Sequence, residues 1–361
     1  MPQAAATSFE QVLDPLNVLM TRKVTIALDA MGGDRGPQGV VPAVLATLEK
    51  DDSVNFVLVG LPQVLDEVQA KAQDKYGKRL RCKAALEVVG MDEHPADALR
   101  HKKDSSMRVA IDLLKSGEAD ACVSSGNTGA LMATARYVLK MLPGIDRPAI
   151  ISAVPGFNGP TYMLDIGANV GCTARHLVQF ALMGSVVAGD ILDIEEPKIG
   201  LLNIGQEDIK GNEVIREAGN LLSHSGLNYI GFVEGDGIFH DDVDVVVSDG
   251  LVGNVSIKTM EGVAGLISSF LKEEFDRNSL RRLQGLSAYS ALSALRDRLD
   301  ARRYNGASLV GLNGVVLKSH GGADHIAFET AVKTAIVEAR KGVPVQIGKL
   351  IEEQPAECIR A

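Results

Sequence analysis

Short, continuously apolar runs recur along the chain, and between several of them the apolar positions fall three or four residues apart. The runs at 24–30, 54–60, 121–123, 149–154, 162–166, 199–204, 229–233, 243–247 and 315–318 read as strands, with a weaker one at 86–90. Leu65, Val68 and Ala72, and then Met107, Val109, Ala110, Leu113 and Leu114, have helical spacing. Strands with no polar alternation, interleaved with helices, predict an α/β fold whose largely parallel sheet is covered on both faces. Ser105 and Ser106 open one helix and Gly117 ends it; Pro37 sits at the first turn of another, where its missing N–H costs nothing. Residues 92–103 read as a charged surface loop that enters a helix. Residues 1–21 lack strand character and read as an extension or an upstream start, with Met20 as an alternative first residue. The remaining expectation is one two-lobed catalytic unit over 22–350 and a tail at 351–361.

Composition narrows the class. With 361 residues, 4% aromatics and no Trp, the core must be built from Val, Ile, Leu and Ala. A net charge of −9 supplies no basic field for nucleic acid, so none is expected as a partner. Cys82, Cys122, Cys172 and Cys358 are far apart and read as reduced thiols, three of them buried, in a cytoplasmic protein. The seven histidines show no HExxH spacing, and no metal is expected. No segment resembles a signal peptide. The longest apolar run, 177–189, is too short to span a bilayer, so a soluble protein is expected.

The candidate chemistry centres on residues 119–135, ADACVSSGNTGALMATA. An apolar strand runs through Ser124, Ser125, Gly126, Asn127, Thr128 and Gly129 into a helix, which would point free N–H groups at an anion or a carbonyl oxygen. The alternative is an ordinary strand–helix connection. Residues 244–253 repeat the pattern of 120–129, with Asp, Val, Ser, Gly and Gly at a constant offset. Ligands of open α/β sheets gather at the carboxyl ends of strands. Those ends carry Asp29, Gly32, Gly33 and Asp34; Asp165, Gly167 and Asn169; Asn203, Gly205 and Lys210; Asp249, Gly250, Gly253, Asn254 and Lys258; and Lys318, Ser319, His320 and Gly321. There is no GxSxG elbow and no Walker A motif, and Gly32, Gly33, Gly36 and Gly39 do not fit GxGxxG, so no nicotinamide cofactor is expected. A set of amides, glycines and lysines suits anion binding and oxyanion stabilisation without a covalent intermediate. Each member also has a plainer reading: the aspartates as caps, the glycines as turn formers, Lys210 and Lys258 as solvated, His320 as a loop partner.

The segments LDAMGGDRGP, SSMRVA, ADACVSSGNTGALM, GIDRPA, LDIGANV, HLVQFALMGS, LLNIGQEDIKGNE, SDGLVGNVSIKTMEG, YNGASLVGL and KSHGGAD resemble, in order over 22–345, the PlsX phosphate acyltransferase family. The resemblance implies a two-lobed, Rossmann-like three-layer α/β/α fold of the isocitrate and isopropylmalate dehydrogenase and phosphotransacetylase type. It implies a homodimer, peripherally associated with an anionic membrane, that moves a long-chain acyl group from acyl carrier protein to inorganic phosphate. The membrane glycerol-3-phosphate acyltransferase would consume the acyl phosphate, and no cofactor is implied. On this reading Lys210, Asn254 and Asn203 carry the catalysis. Asp29, Gly32, Gly33, Ser124, Gly126, Asn127, Thr128, Gly129, Asp165, Asn169, Asp249, Lys258 and His320 would bind substrate or phosphate. The chain departs from the family pattern at Gly171, where an Asp usually follows GANV, and at Leu251 and Val252, which replace an aromatic and a hydroxyl residue. Rival readings are a phosphotransacetylase for short acyl-CoA and a non-catalytic membrane scaffold. A metal- and NAD-dependent decarboxylating dehydrogenase shares the implied fold, but the sequence offers no clustered aspartates for its metal.

Residues 257–305 read as an amphipathic helical segment. Ile257, Met260, Val263, Ile267, Phe270 and Leu271 share one helical face. From 271 to 305 there are eight basic and five acidic side chains, a local excess of positive charge in an acidic protein. Arg281, Arg282, Leu292, Leu295, Arg296, Leu299 and Arg302 then form either the polar side of a dimer helix pair or a surface for anionic lipid or acidic carrier protein. The role given to Lys210 has a direct test. Lys210→Ala is expected to lower the rate of phosphate-dependent thioester cleavage at least tenfold, and unchanged rate and phosphate affinity would remove the residue from catalysis.

Overall fold

A computed structural model of the chain describes residues 22–240, 242–279, 281, 288–298 and 300–355. The expectations for residues 1–21, Arg282, Leu299, Cys358 and the end of the tail lie outside those residues, as does the Arg296 side chain. The first half runs β1 (Val24–Asp29), α1 (Pro37–Lys50), β2 (Val54–Gly60), α2 (Pro62–Tyr76), β3 (Leu80–Ala84), α3 (Pro95–His101), α4 (Ser106–Ser116), β4 (Ala121–Ser124) and α5 (Thr128–Leu139). It continues with β5 (Ala149–Pro155), β6 (Pro160–Leu164), α6 (Ala174–Leu192), β7 (Ile199–Leu202), α7 (Glu213–Ser223), β8 (Tyr229–Val233), β9 (Val245–Val247) and α8 (Gly250–Asp276). The last elements are α9 (Tyr289–Arg298), β10 (Ala307–Val310), β11 (Val315–Lys318), α10 (His325–Lys341) and α11 (Val343–Glu352).

The strands form one eleven-stranded sheet in the order β3-β2-β1-β4-β11-β10-β5-β6-β9-β7-β8. Strands β3 to β11 in that order are mutually parallel, and so are β6, β9, β7 and β8. Between these blocks β10 pairs antiparallel with both β11 and β5, and β5 antiparallel with β6. Three successive reversals make the two parallel blocks run in opposite directions, so the sheet is largely parallel, at seven of its ten strand pairings, but mixed. A single row crosses the middle of the sheet through Leu28, Val123, Leu317, Ser308, Ile151, Leu164, Val247 and Leu201. On one side of that row the strands end at Asp29, Ser124 and Lys318. On the other side Asp165, Ser248 and Asn203 follow the ends of β6, β9 and β7 or lie close beyond them.

Local sequence accounts for the helix boundaries. Pro37 opens α1, the Ser105 hydroxyl accepts from Arg108 N to cap α4, and Gly117 closes α4 at φ 77°. Thr173 and His176 make reciprocal capping bonds at the start of α6. That helix contains the run at 177–189 and is buried along most of its length against α7, α11 and the sheet, which is why its sequence is apolar on every side. Among the described residues no helix is long and apolar enough to cross a membrane.

Two strands differ from expectation. The third falls at Leu80–Ala84, not 86–90: as an edge strand it turns Arg81 and Lys83 to solvent, so its polar face hides it. Residues 86–90 instead form a loop held by Asp104, whose carbonyl accepts from the Leu86 and Glu87 amides. Strand β10 is only ASLV beside Gly306, too short for its pattern to register. Of the cysteines, Cys122 is buried, while Cys82 and Cys172 are half-buried rather than fully enclosed.

The opposite ends of the sheet are each tied by a carboxylate. Asp165, fully buried, accepts from the backbone N–H groups of Ile150, Ala168 and Asn169 at 2.9, 3.1 and 2.7 Å and from Asn169 Nδ2 at 2.9 Å. Asp165→Ala would strand these donors in the interior. It is expected to destabilise the fold by on the order of 3 kcal/mol in urea denaturation, and a loss within error of zero would show that the knot is not a stability element.

Candidate active site

Three loops meet beyond the ends of β1, β4 and β11. The Asp29 carboxylate, 1% exposed, accepts from Ser124 Oγ at 2.6 Å and from Met31 N at 3.2 Å. Ser124 Oγ in turn accepts from Gly126 N at 3.0 Å, so the hydroxyl is used on both sides and buried. Ser125 Oγ donates to the Gly32 carbonyl at 2.7 Å, and Asp34 N donates to the Gly321 carbonyl at 2.8 Å. Gly32 and Gly33 let these loops touch: a Cβ on Gly32 would stand 2.6 Å from Gly126 N and 2.7 Å from Asp29 Oδ2. At Gly33, φ is +79° and a Cβ would lie 2.6 Å from the Gly321 carbonyl.

Lys318 lies under this meeting point. It is 8% exposed, and its ammonium donates to the carbonyls of Ser125, at 3.2 Å, and Ser319. Burial pulls its pKa down to about 8, against the attraction of Asp29 and Asp34, with Lys258 adding repulsion. Burial pushes the Asp29 carboxyl the other way, upward, against hydrogen bonds from Ser106, Ser124 and the loop amides. Both members of the pair are therefore less readily charged than they would be in water.

The turn between β4 and α5 divides its work between side chain and backbone. Asn127 Oδ1 caps α5 by accepting from Ala130 N at 3.0 Å. Its Nδ2 donates to the carbonyls of Met91 and Glu93 at 2.8 and 2.9 Å. The Asn127 side chain is thus occupied in holding the 90–93 loop. The amides of Thr128 and Gly129, both exposed, have no hydrogen-bond acceptor among the described residues, as the first helical positions commonly do not. The helix start is consequently uncharged at its cap and open at its N–H groups.

The second turn of the same type, between β9 and α8, is built differently. Asp249 caps α8 by accepting from Leu251 N and Val252 N at 2.8 and 3.1 Å, placing a carboxylate where an anion would otherwise sit. Gly250 and Gly253 press on the Asp165–Asn169 loop, where a Cβ at either position would strike backbone carbonyls. Asn254 Nδ2 donates to the Ile166 carbonyl at 3.1 Å, and Asn169 Nδ2 donates to the Pro148 carbonyl at 2.8 Å. Asp165, Asn169, Asp249 and Asn254 thus form one group that orders the start of α8. From there α8 runs back beside β5 and β6, which brings Lys258 into the field of Lys318. Lys258 itself is paired with Glu261 at 2.7 Å.

Asn203 and Lys210 lie elsewhere. Asn203 Nδ2 donates to the Lys210 carbonyl at 3.3 Å, and Lys210 is exposed on the loop after β7, flanked by Ile204 and Ile209 at 80% and 81% exposure. Strand spacing puts β7 roughly 24 Å across the sheet from β11. His320 is exposed, and its Nδ1 accepts from Gly322 N at 3.1 Å. Of the surface residues, Leu295 is exposed and Leu292 half-buried, while Arg281 pairs with Glu274. Arg302 is held by Asp300 at 2.6 Å and Asp324 at 3.1 Å, which spends its charge within the fold. Among the described residues no group of three His, Cys, Asp or Glu side chains could hold a metal ion. Lys318, a lysine that ends the otherwise apolar central strand β11, is the member of the site to which sequence alone assigns no role.

Three loops joined beyond the strand ends, a helix start with unpaired amides and a buried lysine beside it make this the candidate site of an α/β protein. The solved structures with this architecture include the phosphotransacetylase EutD of Staphylococcus aureus, with TM-score 0.61 and 16% identity over 92% of this chain and 99% of that one. Another is a phosphotransacetylase of Streptococcus pyogenes, with TM-score 0.59 and 17% identity over 91% and 98%. At such identities they establish the shared fold. Residues 24–346 match the family described as fatty acid synthesis protein. Phosphate acyltransferases of Alkalilimnicola ehrlichii and Methylococcus capsulatus are each 58% identical, over 92% and 90% of this chain and 97% and 96% of theirs. The chain belongs to this phosphate acyltransferase family, PlsX.

The packing of the three loops yields a test. Gly32→Ala is expected to cost about 1–3 kcal/mol of stability through overpacking and to reduce acyl transfer disproportionately, because the displaced atoms are Gly126 N and the Asp29 carboxylate. Wild-type kinetics in this variant would show that the cradle tolerates a different shape.

Proposed function

We propose that this chain moves a long-chain acyl group from acyl carrier protein to inorganic phosphate, with phosphate attacking the thioester directly in the cleft over the 124–129 turn. The observation that carries the reading is the contrast between the two helix starts. α5 has a neutral cap and open amides at Thr128 and Gly129, whereas α8 is already neutralised by Asp249. That contrast favours α5 as the seat of the anion. Phosphate oxygen attacks the thioester carbon, the C–S bond breaks, and the proton carried by hydrogen phosphate ends on the departing thiolate. The N–H groups and the Lys318 field favour the charge that develops on the reacting oxygens. No enzyme nucleophile is required, and the Ser124 hydroxyl, enclosed between Asp29 and Gly126, is not offered as one.

Lys210 is assigned to the donor side of the reaction because of its distance across the sheet. With Ile204 and Ile209 it presents a basic, apolar-flanked loop to the acylated carrier protein. Asn254 and Asn169 keep the start of α8 in place, and Lys258 adds positive charge from that helix to the shared cleft. Val263, Leu266, Ile267 and Phe270 are exposed on α8, and that stripe supports pairing of two copies into a homodimer. The basic segment around Arg281, with exposed Leu295, would meet an anionic membrane peripherally, where a glycerol-3-phosphate acyltransferase takes up the acyl phosphate. The chain is read as cytoplasmic apart from that contact.

Release of carrier-protein thiol from palmitoyl carrier protein tests the reading. It should depend on inorganic phosphate and exceed acetyl-CoA cleavage by at least a hundredfold in kcat/KM. Preference for acetyl-CoA would make the protein a phosphotransacetylase, and no cleavage of either would leave the scaffold reading standing.

A further inference from the structure

We propose that Lys318 is the positioning residue of the anion cradle: its enclosed ammonium fixes the 124–127 turn and supplies the positive charge that holds a phosphate at Thr128 and Gly129. The inference rests on the placement of phosphate given above.

The geometry is that of a tie between loops. Lys318 ends β11 in register with Ser124, which is itself in register with Asp29. The ammonium reaches the carbonyls of Ser125 and Ser319, so one cation joins the turn before α5 to the turn after β11. The backbone bond from Ser319 N to the Ser124 carbonyl at 2.9 Å runs alongside. The amides that follow those two carbonyls are satisfied within the fold, Gly126 N by Ser124 Oγ at 3.0 Å and His320 N by Asn305 Oδ1 at 2.9 Å, so both turns are fixed on each side of the ammonium. A methionine of similar length would fill the same space without the cost of enclosing a charge.

The charged and titratable groups facing Lys318 are few. Asp29 comes from β1, Asp34 from the loop before α1, Lys258 from α8, and His320 stands two residues farther along its own chain. The 124–127 turn contributes hydroxyls and amides only. Lys318 is a cation below about pH 8 and loses its proton above it. Anion affinity should therefore be full on the acid side and fall as pH rises through that value.

The test is titration calorimetry of the full-length protein with inorganic phosphate between pH 6.5 and 9.5. Sulfate is run in parallel because it stays dianionic throughout. For the wild type, affinity for sulfate is expected to fall about tenfold from pH 7 to pH 9, as one protonated site is lost, and affinity for phosphate to fall by less, because its dianion becomes more abundant over the same range. Lys318→Met should weaken binding at least tenfold at pH 7 and abolish the alkaline fall. Lys318→Arg, which keeps its charge, should move that fall beyond the measured range. Thermal melts report whether the variants fold. A folded Lys318→Met protein with wild-type affinity, or an alkaline fall that persists in it, overturns the proposal. Should that variant fail to fold, the wild-type profile decides: sulfate affinity flat from pH 7 to pH 9, or absent, is equally fatal. The palmitoyl-carrier assay separates this outcome from failure of the broader reading. Transfer without Lys318-dependent binding sinks the role of the lysine alone, and Lys318-dependent binding without thiol release sinks acyl transfer alone.

Discussion

A carboxylate at the end of a buried strand has to find donors, because water cannot reach it and leaving it unpaired is costly. Asp29 and Asp165 stand in that position on opposite sides of the sheet's central row. Asp165 takes its donors from the backbone of its own loop and from Asn169, and so fixes where α8 begins. Asp29 takes its donors from Ser124 and the Met31 amide, and so binds the loop after β1 to the turn after β4. The glycines around each carboxylate follow from this demand, since side chains at Gly32, Gly250 or Gly253 would occupy the space the donors need.

The two knots serve different ends because of the residue that caps the next helix. At α8 the cap is Asp249, which cancels the positive end of the helix and makes the turn a structural joint. At α5 the cap is Asn127, whose amide is absorbed in holding the 90–93 loop and which adds no charge. One carboxylate in place of one carboxamide thus separates a closed helix start from an open one. From its own knot α8 runs back beside β5 and β6, where Lys258 enters the field of Lys318.

Much of the fold was legible along the chain. The runs at 54–60, 229–233 and 315–318 are strands with the same ends, and the boundaries of α4 were written in Ser105 and Gly117. The edge strand Leu80–Ala84 escaped because an edge has a polar face, and β10 because four residues carry too little periodicity. The reversal of the second parallel block could not be read, since the antiparallel pairs β10–β11, β5–β10 and β5–β6 join segments whose local patterns are silent about direction. In the site, the 124–129 turn was recognisable from its composition. Which side chains were already occupied was not, and for Asn127, Asp165 and Asn254 the remote partners lie 34 to 37, 15 and 88 residues away.

The sequence by itself determined the alternation of elements, the strand-end position of nearly every polar residue in the cleft, and the family. These depend on short-range pattern, which the chain carries wherever it folds. The tertiary structure alone decided that the Asn127 side chain is taken up by the 90–93 loop, that Lys210 stands apart from the cradle, and that Lys318 lies beneath it. Those outcomes depend on burial and on distances between strands remote in sequence, and a charge or a hydrogen bond acquires its value only when the surrounding water has been removed.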